Sequence, residues 1–498
     1  MRRGTIYQNF KGMNRQADIT NMHKEYLWDI YNGFISKDTG IEKRFGYDKK
    51  YSGQVASGAE ILAQYEAVYD DGSSDFFVCT ATKILRWNSG GSSWDTLKTH
   101  GSSATSVSIA QYGDDVVFGD GVNATQVFTK GDSATSNLTM PSGVTTFKLL
   151  LVHNNRLWGV DPDNLPHYSA LGNIEDWTTA GDAGAGYIDL LLYIPKGDQI
   201  YSMQVFSKAY ICFFMSNHIV TYQIGTVASD FTLLQTTVNT GVRSEHGAIS
   251  FGNDLYYLDQ DTPKSMAAST TSQELDLNDF SRGVFGNYYR DLMASASGER
   301  ICMTKFLRRS WLVIHIPIGT GGEILIWDYV YKIWSGRWRT SDKINAIMED
   351  KDGNLVFAST GYVYKFNPDV FTDDGDTIEF YVLTPYYYGS NGLDYERIPY
   401  VEFISQTEST GVTLEVSVFF EYESSASTYE VVSLESAGSL WDEALWDEAL
   451  WDASGEDIYR VRSNGRGKMH RLSFRNNQSA KHVKIKLWQM FPKSLSLN

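Results

Sequence analysis

The sequence predicts an all-β protein: a β-propeller of six or seven small antiparallel sheets with an additional β-sandwich-like C-terminal domain. Three observations lead there. Aromatic residues abound, with 31 Tyr, 25 Phe and 13 Trp, and such side chains favour strands. Gly outnumbers Pro by 43 to 10, so the turns are built mainly from Gly, Asn, Asp and Ser. Between residues 56 and 375 one theme recurs: a short apolar strand, a polar turn, a second apolar strand, and a third that ends near an aromatic.

The repeats follow in chain order. The first holds the runs 75–80 and 83–87, the second 106–110, 115–119 and 126–128, and the third 147–152 and 156–160. The fourth spans 201–224, the fifth 248–258, the sixth 300–334 and the seventh 345–364. Seven units over about 320 residues give a period of roughly 46, within the range of propeller blades. Each small sheet is apolar on both faces, so it must pack between neighbours, which a closed ring supplies. A pair of stacked sandwiches is the rival arrangement. Helical patterning is weak, with 60–65 its one candidate.

From residue 376 the rhythm lengthens. Residues 412–418 alternate Val, Thr, Leu, Glu, Val, Ser, Val, the period of a sheet with one buried face. The expected domains are therefore an extended N-terminal segment over 1–55 packing on other units, a propeller over 56–375 and a sandwich-like docking domain over 376–498.

The net charge of −17 is unevenly spread. Residues 1–50 carry 10 Lys/Arg and 6 Asp/Glu, residues 456–498 carry 10 and 2, and the body between holds 23 and 52. An acidic body repels phosphates, which speaks against ordinary nucleic-acid binding but suits a conduit to which DNA must not stick. Solvated surface charge is the plainer reading of the same excess. Cys79, Cys212 and Cys302 lie far apart in apolar runs and read as buried thiols. No apolar signal core or membrane-length apolar run occurs in the sequence.

Chemical fingerprints are missing. The sequence contains no P-loop, dinucleotide-binding, zincin or nucleophile-elbow motif, and its nine His are scattered. Residues 349–354 and 373–376 imitate the start of a Ca²⁺ loop but lack the downstream Glu, and read as hairpin turns. Residues 88–94 resemble the Asp-box turn of sialidase-like propellers without its carboxylate, Ser89 standing in that place. The expectation is no enzymatic activity, no cofactor and no metal.

Several segments together resemble the tail nozzle, or packaged-DNA stabilisation, proteins of short-tailed bacteriophages. They are Asn154 to Val160 with Pro166 to Gly172, the hairpin from Arg308 to Trp334 with its Trp327-Asp328 step, and the pentads that place Trp441, Trp446 and Trp451 five apart. The resemblance covers residues from about 150 to the C-terminus and implies a structural virion protein made in the host cytoplasm. Such a protein forms a homohexamer below the portal-adaptor ring and continues the DNA channel without sequence-specific binding. It helps retain the packaged genome until ejection, and anchors tail fibre, spike or needle proteins. A glycan-binding or glycan-hydrolysing propeller is the alternative.

Two sets of candidate site residues follow. Arg2, Arg3, Lys11 and Arg15 at one end, and Arg460, Arg462, Arg466, Lys468 and Arg471 at the other, are candidate adaptor-docking cations. A nucleic-acid patch and a solvated strand pair are the other readings of the basic tail. Trp441, Trp446 and Trp451 share a face on neither a regular helix nor a straight strand. They serve either the sandwich core or a subunit interface.

Overall fold

The computed structural model describes residues 5–494, apart from 17, 21, 39, 191, 252–253, 269–274, 282–283, 297–299, 320, 389–394, 408–409, 422, 424, 427, 435–456 and 464. Its larger part is a β-propeller of seven blades. Blade 1 comprises Ile61–Val68, Ser74–Thr80, Lys83–Asn88 and Ser93–Thr99, paired in that order. Blades 2 to 5 begin at Ser108, Leu149, Ser202 and Ala248, and each has four antiparallel strands. Blade 6 comprises Cys302–Phe306, Trp311–Ile316, Glu323–Asp328 and Ile333–Trp338. The first strands of successive blades touch one another around the whole circle, blade 7 returning to blade 1. Of the residues 60–65 that pattern as a helix, 61–65 belong instead to the first strand of blade 1, where Ile61, Ala63 and Ala67 are buried, and Glu60 makes an isolated bridge to Thr360.

The middle strands explain why the sheets stand radially. In blade 4, Ile211 and Phe213 pack with blade 3 around Trp158 and Val160, while Cys212 and Phe214 pack with blade 5 around Leu255 and Tyr257. Successive side chains leave a strand on opposite faces, so a strand apolar at every position needs a neighbour on each side. Blade 1 repeats the device, with Phe77 and Cys79 toward blade 2 and Phe76 and Val78 toward blade 7. The three thiols are free and buried, and burial pushes those of Cys212 and Cys302 up to about 12.

Blade 7 closes the ring with a strand from the other end of the chain. Ala346–Glu349, Leu355–Ala358 and Val363–Asn367 supply three strands, and Gly46–Lys49 is the fourth. It pairs antiparallel with Val363–Asn367, Tyr47 standing opposite Phe366. A propeller cut from residues 56–375 alone would lack this strand.

The same N-terminal segment builds the second body. One sandwich sheet runs, in spatial order, Gly33–Ile35, Ile41–Lys43, Lys484–Met490, Tyr400–Gln406 and Asp457–Arg462, with Thr5–Tyr7 also paired to Lys484–Met490. The other continues directly from blade 6: Ile333–Trp338 pairs in parallel with Asp29–Tyr31, then come Phe380–Leu383, Met469–Asn476, Val412–Phe420 and Thr428–Leu434. The sheets enclose Phe403, Ile485 and Trp488 on one side against Val382, Leu414, Val416 and Phe474 on the other. Between blades 5 and 6 lies the one α-helix among the described residues, Gly286–Ser295, in which Tyr289 and Leu292 are buried. Just before it, the Phe285 ring stacks on Trp334 at 4.7 Å.

Close backbone approach makes the junction possible. A Cβ on Gly336 would lie 2.2 Å from the carbonyl oxygen of Gly33, so the blade 6 and N-terminal backbones meet where neither carries a side chain. Beside them Asn32, at a φ of 50°, accepts from Arg44 Nε and from the Arg339 amide, and donates to the Glu379 carbonyl. The Arg44 side chain is fully buried and grips Asp373 through two bonds of 2.7 and 2.6 Å. It also donates to the carbonyls of Phe45 and Arg339. Replacing Arg44 by Met would strand the Asp373 carboxylate, and we expect a loss of about 3–5 kcal/mol in denaturant unfolding. The double variant Arg44→Met with Asp373→Leu should recover most of that loss, which the same measurement checks.

Candidate functional site

The basic ends were the sequence's main candidate for a site, and the structure divides them. Arg2 and Arg3 lie outside the described residues. Lys11 is ion-paired to Glu25 at 2.7 Å on the surface. Arg15 faces inward: its Nη1 donates to Asp29 Oδ2 at 2.8 Å, and its guanidinium lies over the Trp28 and Tyr288 rings. Arg337 of blade 6 shares that carboxylate through Nε and Nη2, each at 2.8 Å. Burial opposes the charge of Arg337, but the bonds to Asp29 prevail and hold it firmly protonated.

Other N-terminal cations are also structural. Arg44 holds the junction, and Lys50 bonds Asp350 at 2.8 Å in the turn of blade 7 with Glu66 of blade 1 beside it. Lys43 is buried at 1 % exposure, its Nζ donating to Asn476 Oδ1 and the Gln478 carbonyl. The N-terminal excess of positive charge is therefore in large part internal. A sequence count cannot separate the two uses, because the acidic partners of Arg44 and Lys50 lie about 300 residues away.

The C-terminal cations are more available. Arg460, Arg462 and Arg466 are exposed, although Arg460 pairs with Glu402 and lies over the Tyr400 ring. Lys468 Nζ sits 5.5 Å from the Tyr395 ring. Arg471 is half-buried between the rings of Tyr386 and Phe419 and is a packing residue. Strand register adds two residues that sequence reasoning missed. In a small three-stranded sheet Arg397 stands directly opposite Arg466 on one side and Lys493 on the other. Both chain ends share one sandwich sheet, where Ile6, Gln489, Glu402 and Arg460 are successive cross-strand partners. Trp441, Trp446 and Trp451 lie outside the described residues.

The propeller axis is a second candidate. At one mouth Leu62, Lys148, Arg243, Glu245, His246 and Arg300 border a cavity of about 300 Å³. Arg300 Nη1 and Lys343 Nζ both bond Glu60, at the start of blade 1, joining blades 6, 7 and 1. The Arg300 bond, the larger influence, helps hold the Glu60 carboxyl down at about 2. This mouth mixes both signs of charge.

The described residues behind the phage resemblance are blade scaffolding. Arg156 is buried, and donates to the carbonyls of Ser169, Asp182 and Gly184 across the outer loop of blade 3. Trp327 and Trp334 pack at 5.2 Å while Asp328 Oδ1 accepts the amides of Val330 and Tyr331, closing the turn between their strands. The other motifs are turns as well. Asn88 Oδ1 takes the amides of Gly90 and Gly91, and Asp350 Oδ1 those of Asp352 and Asn354. Among the described residues no helix is long and apolar enough to cross a membrane.

No family model and no curated protein matches the chain. Among solved structures it is similar to the β-propeller domain of Myceliophteria thermophila Cps50 (Swd1), at a TM-score of 0.43 and 8 % identity, covering 64 % of this chain and 99 % of that one. It is also similar to U3-55K, at a TM-score of 0.38 and 11 % identity, covering 63 % and 99 %. The seven-bladed fold stands on the strand pairing itself.

Burial pushes the Lys43 amine from its ordinary value near 10.5 down to about 7, with Arg44 adding to the effect. Between those values the unfolded chain binds the extra proton, so stability rises with pH from about 7 to 10.5, and the cost of the buried charge is fully present below 7. Chemical denaturation at pH 7 and pH 9.5 should show this rise in the wild type and a smaller one in Lys43→Met.

Proposed function

We propose that this chain is a structural subunit of a short-tailed bacteriophage tail, forming the nozzle below the portal-adaptor ring. In this reading six copies make a ring whose central hole continues the DNA channel. The ring helps retain the packaged genome until ejection and offers its outer surface to fibre, spike or needle proteins. It is assembled in the host cytoplasm, performs no catalysis and needs no cofactor.

The observation that carries the reading is the single sheet that runs from blade 6 into the sandwich. A subunit that bears the pressure of packaged DNA needs its parts to move as one, and a sheet passing unbroken between two bodies supplies that stiffness. The sequence resemblance supports the same reading. The charge distribution is consistent with it, because 52 acidic against 23 basic residues over 51–455 suit a surface from which phosphates are to slide. The hole in this reading lies between subunits.

The docking face in this reading is the end of the sandwich that carries the exposed cations Arg462 and Arg466, which suit an acidic partner. Charge reversal of both to Glu should lower co-sedimentation with adaptor-bearing particles at least tenfold while leaving the far-UV circular dichroism unchanged. Rising salt should weaken wild-type attachment by screening. Attachment of the reversed protein with unchanged salt sensitivity would remove the docking role. Negative-stain images of the wild type on such particles should show a sixfold ring, and a solitary monomer that binds glycan would replace the nozzle reading.

A further inference from the structure

The loop that follows Gly33–Ile35 and the turn between the first two strands of blade 6 enclose a cleft of about 600 Å³. Phe34, Phe45 and Trp311 form its aromatic wall. The Arg309 guanidinium lies over all three rings, 4.8, 5.0 and 5.2 Å from their centres. Arg308 and Lys37 stand exposed at the rim. Among the described residues none of these three cations lies within ion-pair distance of a carboxylate, whereas Asp38 and Glu42 are used within the chain. Asp38 and Glu42 bind Lys484 at 2.6 and 2.7 Å, and Asp328 closes its own turn. The three rings are themselves only 2–3 % exposed beneath Arg309, so what the cleft offers is a cationic rim, Arg308 and Lys37, over an apolar floor. That chemistry fits an acidic peptide bearing indoles, since guanidinium groups pair with carboxylates and stack on Trp.

The chain carries such a peptide. Residues 440–452 hold three Trp, three Leu and five Asp or Glu with no Lys or Arg. The strands on either side of it, Thr428–Leu434 and Asp457–Arg462, are the far edges of the two sandwich sheets. Seven strand steps separate Thr428–Leu434 from Trp311–Ile316 along the shared sheet. At about 4.8 Å each, that is roughly 34 Å. The intervening residues 435–456 must go out and return, so their reach is at most about 37 Å even when fully extended. The chain's own cleft therefore lies close to the limit of a taut strand. The cleft of an adjacent copy carries no such restriction.

We propose that the acidic Trp segment around Trp441, Trp446 and Trp451 of one subunit occupies the Phe34–Arg309–Trp311 cleft of the next. The contact is head to tail, joining two different patches, and repeated contacts of that kind close into a ring. The inference rests on the ring of identical subunits proposed above and names the surfaces that join it.

The test uses the full-length chain with Trp441, Trp446 and Trp451 replaced by Ala, so that its own segment is disabled. A fluorescein-labelled peptide of residues 438–454 is titrated in and followed by anisotropy. We expect saturable binding, weakened at least tenfold by Arg309→Glu and by 0.5 M salt. Arg308→Glu, at an exposed position, should give a smaller loss and tests the cleft even if Arg309→Glu disturbs the fold. Failure of the peptide to bind, or equal binding to both charge variants, overturns the proposal. If the wild-type protein forms sixfold rings in that case, the cleft inference fails while the ring reading stands. Peptide binding as expected, beside a wild-type chain that stays monomeric at every concentration, supports the cleft's ligand and overturns the ring.

Discussion

Neither body of this protein is complete without residues 29–49, and that shared dependence governs the architecture. Asp29–Tyr31 bridges blade 6 to the sandwich, Gly33–Ile35 and Ile41–Lys43 enter the opposite sandwich sheet, and Gly46–Lys49 closes blade 7. The buried pair of Arg44 and Asp373 lies where these pieces meet. Burying both charges is costly, and the geometry offsets it only because every Arg44 nitrogen finds an acceptor among Asn32, Phe45, Arg339 and Asp373. Such a network tolerates one arrangement of its surroundings. It therefore fixes how the propeller and the sandwich sit relative to one another.

The blades were readable in the sequence because their physics is local. Runs such as residues 76–79 and 210–214 are apolar at nearly every position, which only a strand packed on both faces requires, and Gly or Asn marks the turns between them. The closing strand was not readable. Gly46, Tyr47, Asp48 and Lys49 are mixed in polarity, and their partners lie more than 300 residues away. The three-residue strands of the sandwich escaped for the same reason, as did the helix Gly286–Ser295, whose buried side is narrow. The helical pattern at 60–65 misled because the first strand of a blade mixes buried and half-exposed positions.

Charge was the least legible property. A run of cations reads identically whether it waits for a partner or holds its own fold together. Arg15, Lys43, Arg44 and Lys50 proved to be structural, while the opposition of Arg397 and Arg466 emerges only from strand register. The cleft at Arg309 likewise joins Phe34 and Phe45 to Trp311 across about 270 residues. Functional surfaces in this chain are assembled from distant segments, and so the motifs that stand out in the sequence are hairpin turns and blade interiors.

The claim beneath the whole account is that propeller and sandwich form one body tied by the N-terminal strands. Native-state hydrogen exchange tests it most directly, because amide protection reports the free energy of each opening. Amides of Ile30, Asn32 and Tyr47 should exchange only with the global unfolding that also exposes the blade 6 strands and Val412–Phe420. Exchange of residues 29–49 and the sandwich strands at a lower free energy, with the blades still protected, would show two independent bodies and contradict the account.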